Sequence, residues 1–401
     1  MQQNPTIQTV SDEGLMNKER YATRPEVDRA FVEKACAYVL KKIDQNLDEF
    51  TNMFPDASSK NLVYPKTENV EWTPGFWTGM LWLAYEITKD EKYKQVAERH
   101  VESFKNRIEK KIHVDHHDLG FLYTLSSVSA YKLTKNETAK EAALGAAKHL
   151  STRYYEKAGI IQAWGDLSDP KQRGRMIIDC NMNLPLLYWA SEITGDQSYY
   201  DMAYQHVQKA AAHIVRKDAS TFHTFYMDPE HGGPLYGNTH QGFSDDSCWA
   251  RGQAWGIYGF PLSYSYTQDD EFITLSKKLA NYFLNRLPED HICYWDLIFT
   301  EGTEERDSSA AAISACGLLE LSKSLPLTDS LKMYYDNAAL SIVQSLSEYY
   351  TTAQEPEANG LLKHGVYYKA GNMGVDESCI WGDYFYFEAL VRLLKDWKMY
   401  W

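Results

Sequence analysis

The sequence predicts an all-α fold, a single (α/α)6 barrel, on three observations: a turn signature recurs along the chain, the helices it separates alternate in character, and the last helix is apolar. The turn reads YEITKDEKY at 85–93, YKLTKNETA at 131–139, SEITGDQSY at 191–199 and, more loosely, YSYTQDDEF at 264–272, with SLPLTDSLK at 324–332 a weaker fifth copy. Each copy follows a strongly apolar segment and precedes an amphipathic one. It therefore joins an αα-hairpin in which an Asp or Asn caps the second helix.

In chain order, helices are expected at 26–49, 75–88, 91–110, 118–134, 137–155, 180–194, 197–216, 248–267, 270–287, 308–323, 329–350 and 377–397. First members of the hairpins are apolar nearly all round (GFWTGMLWLAYEI, LPLLYWASEI, AAAISACGLLEL), as helices enclosed by other helices are. Second members keep a solvated face. In 196–214, Tyr199, Tyr200, Ala203, His206, Val207, Ala210, Ala211 and Ile214 follow helical spacing with Gln and Lys between them. An open superhelical stack would end in polar capping repeats. The last segment, DESCIWGDYFYFEALVRLL, is apolar instead and favours closure of six inner and six outer helices into a ring. Pro185 and Pro261 fall inside predicted inner helices and should kink or delay them. Residues 25–401 read as one barrel domain behind an N-terminal extension, 1–24.

The long connections, 51–74, 111–117, 156–178, 217–247, 288–307 and 351–376, all precede inner helices and so gather on one rim. Loops concentrated on one rim commonly build a site. Two of them, containing GIIQAWGD and GVYYKAG, read as short strand pairs.

Composition narrows the function classes. Lys and Arg number 41 against 55 Asp and Glu, a formal charge of −14, with no basic block. That argues against nucleic acid or an anionic membrane surface as partner. No apolar run reaches the roughly 18–20 residues of a membrane span, and the start, MQQNPTIQTVSDEG, does not read as a signal peptide. Six scattered Cys without a C-x-x-C fit a reducing compartment, so the protein reads as cytoplasmic. The 11 Trp, 29 Tyr and 15 Phe cluster beside Gly and Asp, as in TPGFWTGM, QAWGD, ARGQAWGIYGF and CIWGDYFYF. Aromatic faces next to polar groups suit sugar rings, although large helical proteins also pack many aromatics in their cores.

Two aspartates begin inner helices on that rim: Asp118 in HVDHHDLGFLYTL and Asp179 in RMIIDCNMNLPLLYW. A lone Asp there is ordinarily an N-cap. These two stand among His116, His117 and Asn183, and paired carboxylates serve hydrolysis at a sugar, one protonated and one ionised. Asp179 follows apolar Met176-Ile177-Ile178, which singles it out as the raised, proton-donating group; Asp118, beside the histidines, should stay ionised. HVDHHD is dense in metal-ligand types, but its spacing fits no standard zinc motif and no matching ligand set is evident elsewhere, so no metal is assigned. Arg251 and Trp255, four apart, share a helix face, either as a grip for a carboxylate and a sugar ring or as a cation–π pair. The preceding loop offers His223, Gly237, Thr239 and Gln241. Arg251, His223, Lys369 and the inner-helix N-termini supply positive potential for an anionic substrate.

With these residues in view, the chain resembles the unsaturated glucuronyl hydrolases, glycoside hydrolase family 88, over about 25–397. The resemblance rests on WTPGFWTGMLWLAYE, HHDLGF, IIDCNMNLPLLYWA, HTFY, THQG, SCWARGQAWGIYG, DSSAAAI, HGVYYKAG and DESCIWGDYFYFEAL taken in order. It implies an (α/α)6 barrel that needs no cofactor or metal. The implied reaction releases a 4,5-unsaturated uronic acid from the non-reducing end of lyase-generated oligosaccharides by hydrating the vinyl ether. The resemblance makes Asp179 the proton donor to carbon-4 and Asp118 the second essential aspartate, near the ring hydroxyls. It places Trp72, Phe76, His117, Trp164, His223, Gly237, Thr239, Gln241, Arg251 and Trp255 around the substrate. One departure stands out. Members that prefer sulfated fragments resemble Ser-x-x-Ser-x-Lys on the last rim loop; here it reads His364-Gly-Val-Tyr367-Tyr-Lys369. The lysine remains and both hydroxyls are gone, which puts sulfate recognition in doubt.

Rival readings are an unsaturated rhamnogalacturonyl hydrolase, separable by substrate comparison, and an epimerase or lyase on the same barrel; an epimerase would leave the substrate's double bond intact. From another class comes a non-catalytic helical-repeat scaffold or sugar-binding protein, which would need an extended groove rather than acids and aromatics on one rim.

Overall fold

In the computed structural model, which describes residues 9–401, the alternating helices close into a ring. Helix α1 covers Arg29–Asn46, α2 Pro74–Thr88 and α3 Glu91–Glu109. The next inner helix comes in pieces: α4 (Leu119–Tyr123), a π-helical turn (Thr124–Val128) and α5 (Ser129–Thr134). Then come α6 (Glu137–Ser151), α7 (Cys180–Asn183), α8 (Pro185–Thr194), α9 (Gln197–His213), α10 (Ala250–Thr267) and α11 (Asp270–Leu284). The chain finishes with α12 (Ser308–Ser324), α13 (Lys332–Tyr349) and α14 (Ile380–Leu394). With 119–134 and 180–194 each counted as one inner helix, the alternation is the expected one. Inner neighbours touch in sequence, α2 with α4, α4 with α7, then α10, α12 and α14, and α14 returns to α2 to close the ring. Outer helices α1, α3, α6, α9, α11 and α13 pack behind them.

The recurring turn works as a left-handed helix stop followed by a cap. Lys89, Lys135, Gly195 and Gln268 take φ values of 60°, 60°, 75° and 56° at the ends of inner helices. The next residue in each case, Asp90, Asn136, Asp196 or Asp269, accepts a backbone N–H from the first turn of the outer helix. The fifth copy departs: α12 ends in extended backbone at Leu325 rather than in a left-handed residue.

The two prolines behave differently. Pro185 interrupts its helix and restarts it as the first residue of α8. Pro261 sits inside α10 without ending it. The carbonyl that its missing N–H leaves free, that of Ile257, accepts the Ser276 hydroxyl from α11 at 2.9 Å. The π turn has a tertiary partner as well, because the Trp82 indole N–H donates to the Ser126 carbonyl at 3.0 Å.

The strands are short, antiparallel and confined to the rim. They are β1 (Phe54–Pro55) with β2 (Lys66–Thr67), β3 (Tyr154–Tyr155) with β4 (Ile160–Ile161), a three-stranded β5 (Arg175–Ile177), β6 (Thr224–Met227) and β7 (Pro234–Asn238), and β8 (Gly365–Tyr368) with β9 (Met373–Glu377). Residues past α14 fill the opposite end. Trp401 stacks on Phe385 at 5.9 Å, its indole donates to Glu388, and Lys132 donates to the carbonyls of Met399, Tyr400 and Trp401. Of the predicted N-terminal extension, residues 1–8 lie outside the described residues. The part from residue 9 runs across α11 and α13, with Asn285, Arg286 and Asn337 bonding to Gly14, Glu13 and Tyr21. No described helix is long and apolar enough to cross a membrane.

Candidate active site

On the rim where inner helices begin lies a cavity of about 360 Å³, within the size range of small-molecule sites. Asp118 immediately precedes α4 and Asp179 immediately precedes α7, yet neither carboxylate caps its own helix. Both face the cavity, with 13% and 17% of their side chains exposed. His117 stands between them, its Nε2 3.2 Å from Asp179 Oδ1 and 3.5 Å from Asp118 Oδ1, while His116 Nδ1 approaches Asp118 Oδ2 at 3.2 Å.

The two acids are pushed apart electrostatically. Burial raises the Asp179 carboxyl; His117 and Arg251 oppose it, the Asp118 charge adds to it, and the balance stays above the ordinary range. Burial also works on Asp118, but His117, His116 and the Asn183 amide outweigh it and hold that carboxyl low. For His117, burial acts downward and the two carboxylates more than reverse it. The result is two carboxyls of oppositely shifted proton affinity over a single cavity, the arrangement that acid–base chemistry uses.

Aromatic rings make the walls. Trp72 packs 5.1 Å from Trp381 and donates from its indole to the Tyr367 hydroxyl at 2.9 Å. Trp255 packs on Phe121 at 5.2 Å. Trp164 is held by the Arg175 guanidinium, 3.6 Å over its ring. His223 Nδ1 accepts the backbone N–H groups of His240 and Gln241 at 2.9 and 3.1 Å, which places its proton on Nε2. Burial keeps that ring neutral. Gln241 donates to the Tyr367 carbonyl at 2.9 Å and ties two rim loops together.

Of the residues singled out from sequence, Asp118, Asp179, Trp72, His117, Trp164, His223, Gln241, Arg251, Trp255 and Tyr367 line the cavity. Four are placed elsewhere. Phe76 is fully buried behind Trp72, edge-on at 5.8 Å. Gly237 lies on β7 against the Phe222 ring. The Thr239 hydroxyl accepts the Gly242 N–H. Lys369 pairs with Glu305. Arg251 is at the cavity, but it is 2% exposed and donates to the carbonyls of Val366 and Tyr367, with Asp307 3.7 Å away. Its charge therefore fixes the β8 loop as well as facing the site. Sequence reasoning did not single out Ile177, Trp249, His240, Tyr368 and Met373, which also line the cavity. His240 stacks on Tyr368 at 5.0 Å. The THQG and SCWARG segments already contain His240 and Trp249 and were the available signal.

His117, Asp118 and Asp179 also form the one group of His, Cys, Asp and Glu donors among the described residues close enough to share a cation, with ligand atoms within 4.8 Å of one another. Three donors, one of them an imidazole biased toward its cationic form, make a poor permanent cage for a metal.

Comparison with known proteins identifies the family. The model of Glycosyl Hydrolase Family 88 matches residues 42–392. The unsaturated chondroitin disaccharide hydrolase of Streptococcus pneumoniae (strain ATCC BAA-255 / R6) is 49% identical over 396 residues, 98% of this chain and all of that protein. The crystal structure of unsaturated glucuronyl hydrolase from Streptococcus agalactiae superposes with a TM-score of 0.96 at 48% identity, covering 98% of this chain and 100% of that one. A mutant of the S. agalactiae enzyme, complexed with dGlcA-GalNAc6S, gives 0.89 at 45% identity over the same shares. A rim with two unlike carboxylates, on a barrel so closely matched along its length, establishes that this chain belongs to glycoside hydrolase family 88.

Proposed function

We propose that the protein releases a 4,5-unsaturated uronic acid from the non-reducing end of lyase-generated oligosaccharides by hydrating the sugar's vinyl ether. The observation that carries this reading is the pair of uncapped, oppositely shifted carboxylates over one cavity. In this mechanism Asp179 enters protonated and gives its proton to carbon-4, leaving an oxocarbenium centre at carbon-5. Water adds at carbon-5 while the Asp179 carboxylate takes back a proton. The hemiketal formed opens, the glycosidic bond is lost with it, and a keto-aldehyde acid is released. Asp118 stays ionised and accepts hydrogen bonds from the ring hydroxyls. Trp72 and Trp255 offer apolar faces to the sugar, and the neutral His223 offers an N–H. We read residues 25–401 as the catalytic domain. The reading places it in the cytoplasm on its six unpaired, buried cysteines.

The test is to mix the protein with lyase-generated disaccharides and follow the ultraviolet absorbance of the conjugated uronate. It should decay, and do so equally in a chelator. The preferred substrate is the unsulfated disaccharide. His364 and Tyr367 stand where the pattern of sulfate-preferring members has serine, Tyr367 is engaged with Trp72, and Lys369 is paired with Glu305. A kcat/KM higher for the 6-sulfated than for the unsulfated disaccharide would overturn that preference.

A further inference from the structure

Asp118 has a helix start to cap and does not cap it. An N-cap side chain takes the N–H two or three residues on; that of Gly120 goes to the His117 carbonyl at 3.3 Å, which leaves that of Phe121. That N–H donates instead, at 2.9 Å and fully buried, to the side-chain oxygen of Asn183 from α7. The other end of the same amide donates to the backbone carbonyl of Asp179 at 3.2 Å. The reach depends on Gly120: a Cβ there would lie 2.2 Å from Asn183 Cα and 2.5 Å from its carbonyl oxygen. We propose that Asn183 is a positioning residue for the reaction, taking the cap of α4 so that the Asp118 carboxylate turns to the cavity, and tying that carboxylate's helix to the Asp179 backbone.

The proposal rests on the reading of Asp118 and Asp179 as the reacting pair. With the Asn183 amide removed, the freed Phe121 N–H competes with His116 and His117 for the Asp118 carboxylate and draws it toward the helix cap and out of the site, while the carboxylate also loses its own hydrogen bond from that amide. The titratable groups facing the pair are His116, His117, Arg107, Arg153, Arg251, Tyr367 and Cys180. None of these is replaced in the Asn183 variants below, so a shifted pH profile there reports a change in the pair's surroundings that began at Asn183.

The experiment measures kcat, KM and the pH profile of kcat on the unsaturated disaccharide, with thermal melting as the check on folding. Asn183→Ala should lower kcat by about 10²-fold, the scale of a small misplacement of a reacting group, with less change in KM. Its alkaline limb should move to lower pH, because the Asp118 charge leaves Asp179. Asn183→Asp still accepts the Phe121 N–H but adds a negative charge beside the pair, so its alkaline limb should move to higher pH. This second variant decides the matter if the alanine variant does not fold. Gly120→Ala, which forces α7 away, should reproduce the alanine phenotype. The proposal is overturned if Asn183→Ala keeps the kcat of the unaltered protein, or if kcat falls while neither variant moves its alkaline limb. Full activity in Asp118→Asn and Asp179→Asn would instead overturn the reading on which it rests.

Discussion

The two ends of the barrel use the same residue type in opposite ways. At the end with short turns, Asp90, Asn136, Asp196 and Asp269 each follow a left-handed helix stop and accept N–H groups of the next helix. At the rim, Asp118 and Asp179 hold the equivalent place before α4 and α7 and accept none. A third rim aspartate, Asp307, reverts to the ordinary use: it accepts from Ser309 and Ala310 at 3.0 and 3.3 Å and faces Arg251. Place on the helix therefore does not decide what the side chain does. At the exposed far turns the amides and the helix dipole hold a capping carboxyl low, as at Asp90 and Asp196, whereas burial raises the Asp307 carboxyl despite its cap. Kept from water, the same group binds its proton more tightly, and burial shifts the Asp179 carboxyl in that direction.

The sharpest test of this contrast is to remove charge without changing shape. Asp179→Asn should reduce kcat by about 10³-fold or more, within the range for loss of a general acid, and Asp118→Asn by a comparable factor. Neither removes a cap, so melting temperatures should stay near that of the unaltered protein. Near-normal turnover in both variants, measured by decay of the uronate absorbance, would make the pair structural and dissolve the contrast. Because the Asp179 carboxyl is raised, turnover should fall on the alkaline side as its proton is lost, and Asp179→Asn should have no such limb.

Asp307→Ala should fail in the opposite manner. It strips a cap from α12 and leaves the guanidinium of Arg251 without its carboxylate in a fully buried setting. Breaking one partner of a buried pair costs about 3–5 kcal/mol, so chemical denaturation should show a large loss of stability. Activity would be lost only as far as the β8 loop, held by Arg251, loses its place.

These uses were unequally legible in the sequence. Helix alternation and the turn signature depend on local rules, 3.6-residue spacing and capping, and they placed every barrel helix. The rim carboxylates could be found because apolar Met176–Ile178 leads into one and histidines surround the other. What could not be read depends on partners distant in the chain. Pro261 does not break α10 because a hydroxyl from α11 takes the freed carbonyl. The Thr239 hydroxyl accepts the Gly242 N–H within its own loop, while the adjacent His240 reaches the cavity by stacking on Tyr368 from β8. Lys369 pairs with Glu305, 64 residues away in a different rim loop, a partner that no local rule announces. The final plug around Trp401 carries no periodic signal at all.

Asp383 extends the comparison to pH. It lies in the first turn of α14, fully buried, and its carboxylate accepts the N–H groups of Leu361 and Leu362 and the Tyr64 hydroxyl, clamping a rim loop. Burial outweighs those hydrogen bonds and raises its carboxyl from 3.8 to about 7. The native state then holds a proton that the unfolded chain releases. Its contribution to stability is fully present below pH 3.8, falls as pH rises through the interval, and is gone above about 7. Denaturation midpoints should decline over that window, and Asp383→Asn should flatten the decline. A midpoint that instead rises across it would show that the clamp is ionised in the native state.

The smallest effect is expected at the far turns, where capping is all the side chain does. Asn136 is the informative choice because it carries no charge and accepts the Ala139 N–H at 3.1 Å. Asn136→Ala should cost about 1 kcal/mol, the usual value of a lost cap, and the loss should be the same at every pH. It should leave kcat, KM and the alkaline limb untouched, since α6 is an outer helix and its start lies at the end of the barrel away from the cavity. A change in kcat in this variant would mean that the far turns set the geometry of the rim, and the division of labour between the two ends would have to be abandoned.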